Sequence, residues 1–403
     1  MTPIASAKKT SNAGFLIFDI ETAGHHEGYI KHLVSHFNET SKEGEKLTLA
    51  AGKDFIDQLN AQEFSKNILF RPIDEDLIIK IKGAGLFSRS IKEWQLFRAI
   101  VKERKPKSAL LMYMDTLLLG MLLLPRTESK VTGIYFRPHF HYISPNPKWK
   151  TKLPELLKKV ILKLTFLKKG IQNLLVLDSS AIDSLKKITG SEHVKVCPDP
   201  VESYTLSQKE IAGFRTQYHF PKNDRKVFLI FGYLDKRKGI EATLEAIRLL
   251  DPSELLKMHI VIAGTISKDY QNRIEQLLSE LPEAVMITTH LEKVTGKAIQ
   301  FFFEASDVVL AVYQKHIGMS SILVRAAISE KPVIADEYGL LGKLVQEKEL
   351  GISIDSSRPE ELTKAMSTAI QSQLKVRKGS QQFFVKENSV SQFGKVIFET
   401  LRQ

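Results

Sequence analysis

Short, wholly apolar runs recur along this chain, and stretches with helical spacing of their apolar residues separate them. In the first half the runs fall at 15–20, 67–70, 108–114, 131–136 and 173–178. Runs this short, apolar on both faces of the pleat, predict strands buried on both sides. Between them the apolar spacing predicts helices beginning near Glu27 and over 54–59, 91–103, 153–169 and 181–188. The second half repeats the alternation, with strands expected at 227–231, 259–263, 285–288, 308–312, 332–335 and 351–354. Strands alternating with helices predict parallel sheets covered on both faces. A polar stretch at 194–224, carrying Pro198, Pro200 and Pro221, reads as the connection between two such domains. A last helix is expected at 390–401.

Size and charge sharpen this picture. A chain of 403 residues is too long for one ordinary core, so two domains are expected. The single cysteine, Cys197, rules out an internal disulfide and a thiolate metal cluster, which suits a reducing cytosol. Residues 1–13 are polar and do not read as a secretory signal. The longest apolar run, 109–125, is interrupted by Asp115 and is shorter than the roughly 20 residues of a spanning helix. It reads as a buried strand, a turn and a helix start. The net charge of +12 is concentrated in residues 1–200, where 31 Lys and Arg face 21 Asp and Glu. A basic half suggests an anionic partner: membrane lipid, a phosphorylated acceptor or nucleic acid. No basic–aromatic module supports nucleic acid, so none is expected as a partner.

Chemistry-bearing residues gather at the expected strand ends. After the strand at 227–231 come Gly232, then Lys236, Arg237 and Lys238, then Gly239 opening a helix. Cations beside a helix start suit a phosphate, although a solvated basic turn has the same sequence. After the strand at 308–312, Gly318-Met-Ser-Ser321 precedes another helix. Ser320 or Ser321 there can cap the helix, or lend hydroxyls to an anion. In the first half, His25 and His26 follow the first strand, Asp115 follows the strand at 108–114, and His139 and His141 follow the strand at 131–136. Histidine near neutral pH can serve as a base or hydrogen-bond a sugar hydroxyl. The His139-x-His141 spacing also invites zinc, but no cysteine or further carboxylate accompanies it, and no metal is expected.

The 153–171 segment places Leu153, Leu156, Leu157, Val160, Ile161, Leu164, Leu167 and Ile171 on one helical face, expected to be core. Leu162 and Phe166 then fall among Lys158, Lys159, Lys163, Lys168 and Lys169. Exposed apolar residues ringed by lysine suggest contact with an anionic membrane surface.

Gly232-Tyr-Leu-Asp-Lys-Arg-Lys-Gly239, Ser306-Asp-Val-Val-Leu-Ala-Val-Tyr313 and the stretch from Ile317-Gly-Met-Ser-Ser to Lys331-Pro-Val-Ile334 resemble the donor-domain motifs of the large family of retaining GT-B glycosyltransferases, group 1. The resemblance is good over 225–370 and vague over 1–200. It implies an α/β fold with two Rossmann-like domains facing across a cleft. An acceptor-side domain (1–200), a donor domain (201–380) and a C-terminal helix (381–403) packing back on the first domain are expected. By resemblance, Lys238 occupies the family's lysine position, with Lys236 and Arg237 beside it, and Gly318, Ser320 and Ser321 cradle phosphate. Tyr233, Ile317 and Arg325 depart from the pattern. The family's arginine falls on Tyr233, and its glutamate pair falls on Ile317 and Arg325. Arg325 cannot accept ribose hydroxyls as glutamate does, but it can bind phosphate.

The expected function is transfer of a sugar from a nucleoside-diphosphate-sugar donor to a glycan or lipid-linked acceptor. Retention of configuration is implied by the resemblance alone, and no cofactor besides the donor is expected. The expected location is the cytoplasm, at the inner face of the membrane. The alternative is a non-catalytic GT-B partner of an active transferase.

Overall fold

The computed structural model describes residues 14–21, 25–60, 64–138, 149–221 and 224–403. The chain divides into two compact units, 1–198 with 390–403, and 199–389. The crossings fall after Pro198 and after Ser389, so the helix Lys378–Glu387 belongs to the second unit and the helix Val390–Arg402 to the first.

The first unit is built on a seven-stranded parallel sheet in the order β3-β2-β1-β4-β5-β6-β7. Its strands are β1 (Gly14–Phe18), β2 (Lys46–Gly52), β3 (Ile68–Ile73), β4 (Ser108–Leu111), β5 (Lys130–Tyr135), β6 (Asn173–Val176) and β7 (Val194–Val196). The pattern Phe15-Leu-Ile-Phe18 buries every residue because helices cover both faces. One face packs on Trp94, Phe97 and Leu162, and the other on Phe37, Phe393 and Phe398. The helix Val390–Arg402 lies along His25–Thr40 and is locked there in two ways. Arg402 makes paired hydrogen bonds of 2.8 Å to both oxygens of Glu45. Gly394 admits the His36 ring so closely that a Cβ would lie 2.3 Å from it.

The second unit is a six-stranded parallel sheet in the order β10-β9-β8-β11-β12-β13. These strands are β8 (Lys226–Phe231), β9 (Met258–Ala263), β10 (Met286–His290), β11 (Val308–Ala311), β12 (Val333–Asp336) and β13 (Gly351–Ile354). All six fall where the sequence predicts strands. In both sheets the strand order reverses direction beside the first strand, at β1/β4 and β8/β11, the switch point where doubly wound sheets bind ligands.

Several sequence expectations need correction. β2, β7 and the helix Glu75–Lys82 were not anticipated, and the 194–224 connection contains β7 and the helix Gln208–Gln217. That helix opens with a capping box in which Ser207 and Glu210 satisfy each other's backbone N–H groups. The helix Trp149–Leu167 is turned roughly opposite to expectation. Leu162 (0% exposed) and Phe166 (8%) are core residues, whereas Leu156, Leu157, Val160, Leu164 and Leu167 face outward. Among the described residues no helix is long and apolar enough to cross a membrane.

Gly394→Val drives a branched side chain into the His36 ring. It is expected to cost the first unit about 1–3 kcal/mol, as overpacking does. Hydrogen exchange should show lost protection in Val390–Arg402 and His25–Thr40, with β8 and β9 unchanged.

Candidate functional site

In the second unit the candidate site lies at the C-terminal ends of β8 and β11. The β8 turn is shaped by an unusually close backbone approach. Gly264, at φ +134°, sits where a Cβ would be only 1.8 Å from the Gly232 carbonyl oxygen. No side chain fits there, so the turns after β8 and β9 run together, joined by Leu234 N–H donating to Thr265 O at 2.8 Å. Asp235 then caps a single 3-10 turn, Lys236–Lys238, by accepting from Arg237 N–H. Gly239, at φ +68°, closes the turn against β11, where a Cβ would fall 2.2 Å from the Val312 carbonyl oxygen.

This geometry separates the three cations. Lys236 is exposed. Arg237 folds back on Asp235, with Nε and Nη2 at 3.0 and 2.8 Å from Oδ2. Part of its charge is thereby committed within the turn. Lys238 turns inward: Nζ donates to Phe231 O at 2.9 Å and to the Tyr313 hydroxyl, and lies 4.0 Å from the Tyr313 ring centroid. An ammonium held by a carbonyl, a hydroxyl and an aromatic face is a fixed point charge at the sheet edge. The motif that ends at Tyr313 carries no sign of this contact; the signal for it is its place two residues beyond β11.

The loop from Tyr313 leads through Gly318 to the helix Ser321–Ile328. Ser320 occupies the N-cap position with extended backbone, but its side chain makes no capping hydrogen bond. Capping therefore does not explain the serines, and the first N–H groups of this helix lack the side-chain acceptor a cap provides. The loop is braced from below. Gln314 N–H donates to Arg237 O at 2.7 Å, and its side chain donates to Ser356, whose own N–H donates to buried Asp336. Arg325 lies apart from this arrangement, in the last turn of the helix. Burial lowers its pKa, while Asp199, Tyr204 and Glu202 act in the opposite sense. Its charged surroundings are thus acidic groups of the segment following the domain crossing.

In the first unit a second cluster occupies the ends of β1, β4 and β5. Asp19, one residue beyond β1, is fully buried and accepts from or donates to His26 Nδ1 at 2.7 Å, according to the tautomer. Burial raises the Asp19 pKa; its bond and proximity to His26 offset that rise. His26 is itself buried, stacked on Phe136 at 5.6 Å and edge-on to Tyr113 at 5.5 Å. Asp115 receives two backbone bonds, from Phe136 N–H at 3.0 Å and Arg137 N–H at 3.1 Å. Burial nevertheless pushes its pKa up to about 6, against the lowering effect of those bonds. Beside them Glu21 bonds Lys82 and Arg89, and these hold its carboxyl below the usual range despite burial. The sequence placed His26 and Asp115 at strand ends but did not select Asp19, which stood in view inside the first apolar run. His25 begins the helix His25–Thr40, and His139 and His141 lie outside the described residues. Among the described residues no group of three or more His, Cys, Asp or Glu is arranged to hold a metal.

Two doubly wound parallel sheets in one chain, with the last helix returned to the first unit, define the GT-B class of fold. Residues 215–388, within the second unit, match the family described as Glycosyl transferases group 1. Comparison with the curated proteins finds no match. Among solved structures, sucrose-phosphate synthase from Thermosynechococcus elongatus superposes with a TM-score of 0.70 at 16% identity, covering 97% of this chain and 98% of that one. Anabaena Alr3699/HepE in complex with UDP and glucose gives 0.68 at 16% identity, covering 97% and 99%. WaaG, a glycosyltransferase involved in lipopolysaccharide biosynthesis, gives 0.60 at 12% identity, covering 96% and 99%. At these identities the likeness is one of fold.

Asp115 yields a test by pH. Its folded pKa of about 6 lies above the ordinary 3.8, so the folded state is favoured by protonation. That contribution is complete below about pH 4 and is lost as pH rises through about 6. The melting temperature of the wild type should therefore fall between pH 4 and pH 7 relative to Asp115→Asn, which has no proton to lose. Parallel melting curves for the two proteins across this range would refute the assignment.

Proposed function

We propose that this protein is a glycosyltransferase that moves a sugar from a nucleoside-diphosphate-sugar donor to a glycan or lipid-linked acceptor. The observation that carries this is Lys238, fixed between Phe231 O and Tyr313 on the loop that leads to the uncapped Ser320–Ser321 helix start. A fixed ammonium and a helix N-terminus are what a leaving diphosphate needs as its charge develops. In this reading Lys238 and the N–H groups after Ser320 receive the phosphates, Ser320 and Ser321 add hydroxyl donors, and exposed Lys236 adds charge at the rim. Arg237 contributes only when it leaves Asp235. Arg325 is not assigned to phosphate, because its neighbours are carboxylates and a tyrosine. His26, oriented by Asp19, and Asp115 act on hydroxyl groups of sugar or acceptor.

The match to the group 1 family and the UDP and glucose bound by the fold relative HepE support a nucleotide-sugar donor. The role of WaaG in lipopolysaccharide biosynthesis supports a cell-surface glycan as acceptor. A cytoplasmic location at the inner face of the membrane is part of the proposal. Retention of configuration is part of the proposal and follows from family resemblance alone.

A second reading is a GT-B protein that binds nucleotide without transferring sugar. Arg325 favours it, standing where the family carries the glutamate that contacts ribose. Calorimetry with UDP, GDP and ADP should find one that binds, and Lys238→Met should weaken it about tenfold to a hundredfold, the worth of one charge-assisted contact. Failure of all three to bind would refute both readings. Slow hydrolysis of the matching nucleotide-sugar separates them. The transferase reading expects hydrolysis that falls at least about 100-fold in His26→Ala with nucleotide affinity kept. The binding-protein reading expects none.

A further inference from the structure

The helix Trp149–Leu167 carries an apolar face that no other part of the described chain covers. Leu156, Leu157, Val160, Leu164 and Leu167 are 58%, 53%, 44%, 42% and 66% exposed. Helical spacing puts these five within an arc of about 100°. Leu162, Thr165 and Phe166, which are buried, occupy the opposite side. The helix is thus apolar on two sides, and only one of them serves the core. Isolated exposed leucines need no explanation, but five in a stripe on one helix do. Leu123, 53% exposed, extends the stripe from the neighbouring helix Leu118–Leu123. Lys168 ties the end of that helix in place by donating to the carbonyls of Leu122 and Leu124 at 2.7 and 2.6 Å.

The charges around the stripe identify its partner. Lys159 and Lys163 border it on one side, Lys158 lies beyond its other side and Lys169 stands at its end, while Lys168 is committed to the Leu122 and Leu124 carbonyls. Glu155 is the one carboxylate between Trp149 and Lys169. Leu167, at the end of the stripe, also lines a cavity of about 520 Å³ together with Lys130, Lys169 and His193. A partner protein with a matching groove would have to be apolar in the middle and acidic at the rim. A bilayer of anionic lipid is apolar and acidic in that arrangement by composition. A helix lying in the plane of such a surface buries its apolar stripe at the acyl boundary and leaves its lysines at the phosphates.

We infer that the Leu156–Leu167 face seats this protein on an anionic lipid surface, and that Leu162 and Phe166 hold the helix to the core instead of contacting lipid. The inference does not depend on the transferase reading. The test is sedimentation of the full chain with phosphatidylcholine vesicles, with and without phosphatidylglycerol. Binding is expected only with phosphatidylglycerol, weakening as salt is raised. Leu157→Ser, Val160→Ser and Leu164→Ser together should weaken it at least about tenfold with an unchanged melting temperature, since all three are solvent-facing. Lys158→Gln, Lys159→Gln and Lys163→Gln together should remove the preference for phosphatidylglycerol. Absence of wild-type binding, or equal binding by the serine variant, overturns the inference. So does a concentration-dependent dimer that the serine variant abolishes while neither protein sediments with vesicles, an outcome that assigns the face to a second copy of the chain.

Discussion

Around the turn after β8, two glycines bring backbone against backbone at distances no side chain tolerates: Gly264 against the Gly232 carbonyl, and Gly239 against that of Val312. Everything at the strand ends depends on these approaches. They set the short turn of Lys236–Lys238 directly over β11, so that Lys238 reaches back to Phe231 and across to Tyr313. They also bring Gln314 within 2.7 Å of the Arg237 carbonyl, which pins the start of the loop leading to Ser320. A lysine is ordinarily a flexible charge that loses much rotamer freedom when held. Here the restraint is already present in the fold, so the ammonium is ordered at the sheet edge.

The first sheet handles charge differently. Its strand ends carry carboxylates, and burial works against each of them. Asp19 keeps its place through His26, and Asp115 through two backbone N–H groups. Glu21 is held through Lys82 and Arg89. Buried carboxylates are tolerated only with such partners, and the partners fix geometry as well as charge. The consequence is local rigidity: the His26 ring is positioned by an acid on one edge and by aromatic rings around it.

The fold was largely legible because a strand buried on both faces leaves an unbroken apolar run. β8, β9, β11 and β12 announced themselves in this way, whereas β10 and β13 are only partly buried and carry polar residues within their runs. β2 did not, since Leu47-Thr-Leu-Ala-Ala-Gly52 has no β-branched residue but Thr48, and its alanines favour helix in isolation. The helix Trp149–Leu167 was misoriented for a related reason. Periodicity selects the wider apolar stripe as core, but burial follows what the neighbours can pack, and they receive Leu162 and Phe166. In the second unit Lys238 and Ser320, and in the first unit His26 and Asp115, were visible as residue types at strand ends. Tyr313 and Asp19 were not, because each matters through a contact with a residue distant in the turn sequence. The pairing of Arg237 with Asp235 was not legible in the sequence.

The chain enters its second unit after Pro198 and leaves it after Ser389, and these two points are stitched side by side. Asp199 N–H donates to the Asn388 side chain at 3.0 Å and Val201 N–H to the Asn388 carbonyl at 3.1 Å. The second unit is therefore an insertion whose ends meet, continuous in sequence between them. The first unit has no such continuity. Phe15, Tyr29 and Phe37 await Phe393 and Phe398, which a ribosome delivers only after the whole inserted unit has emerged. During synthesis the earlier-made part of this protein is therefore the later to be completed.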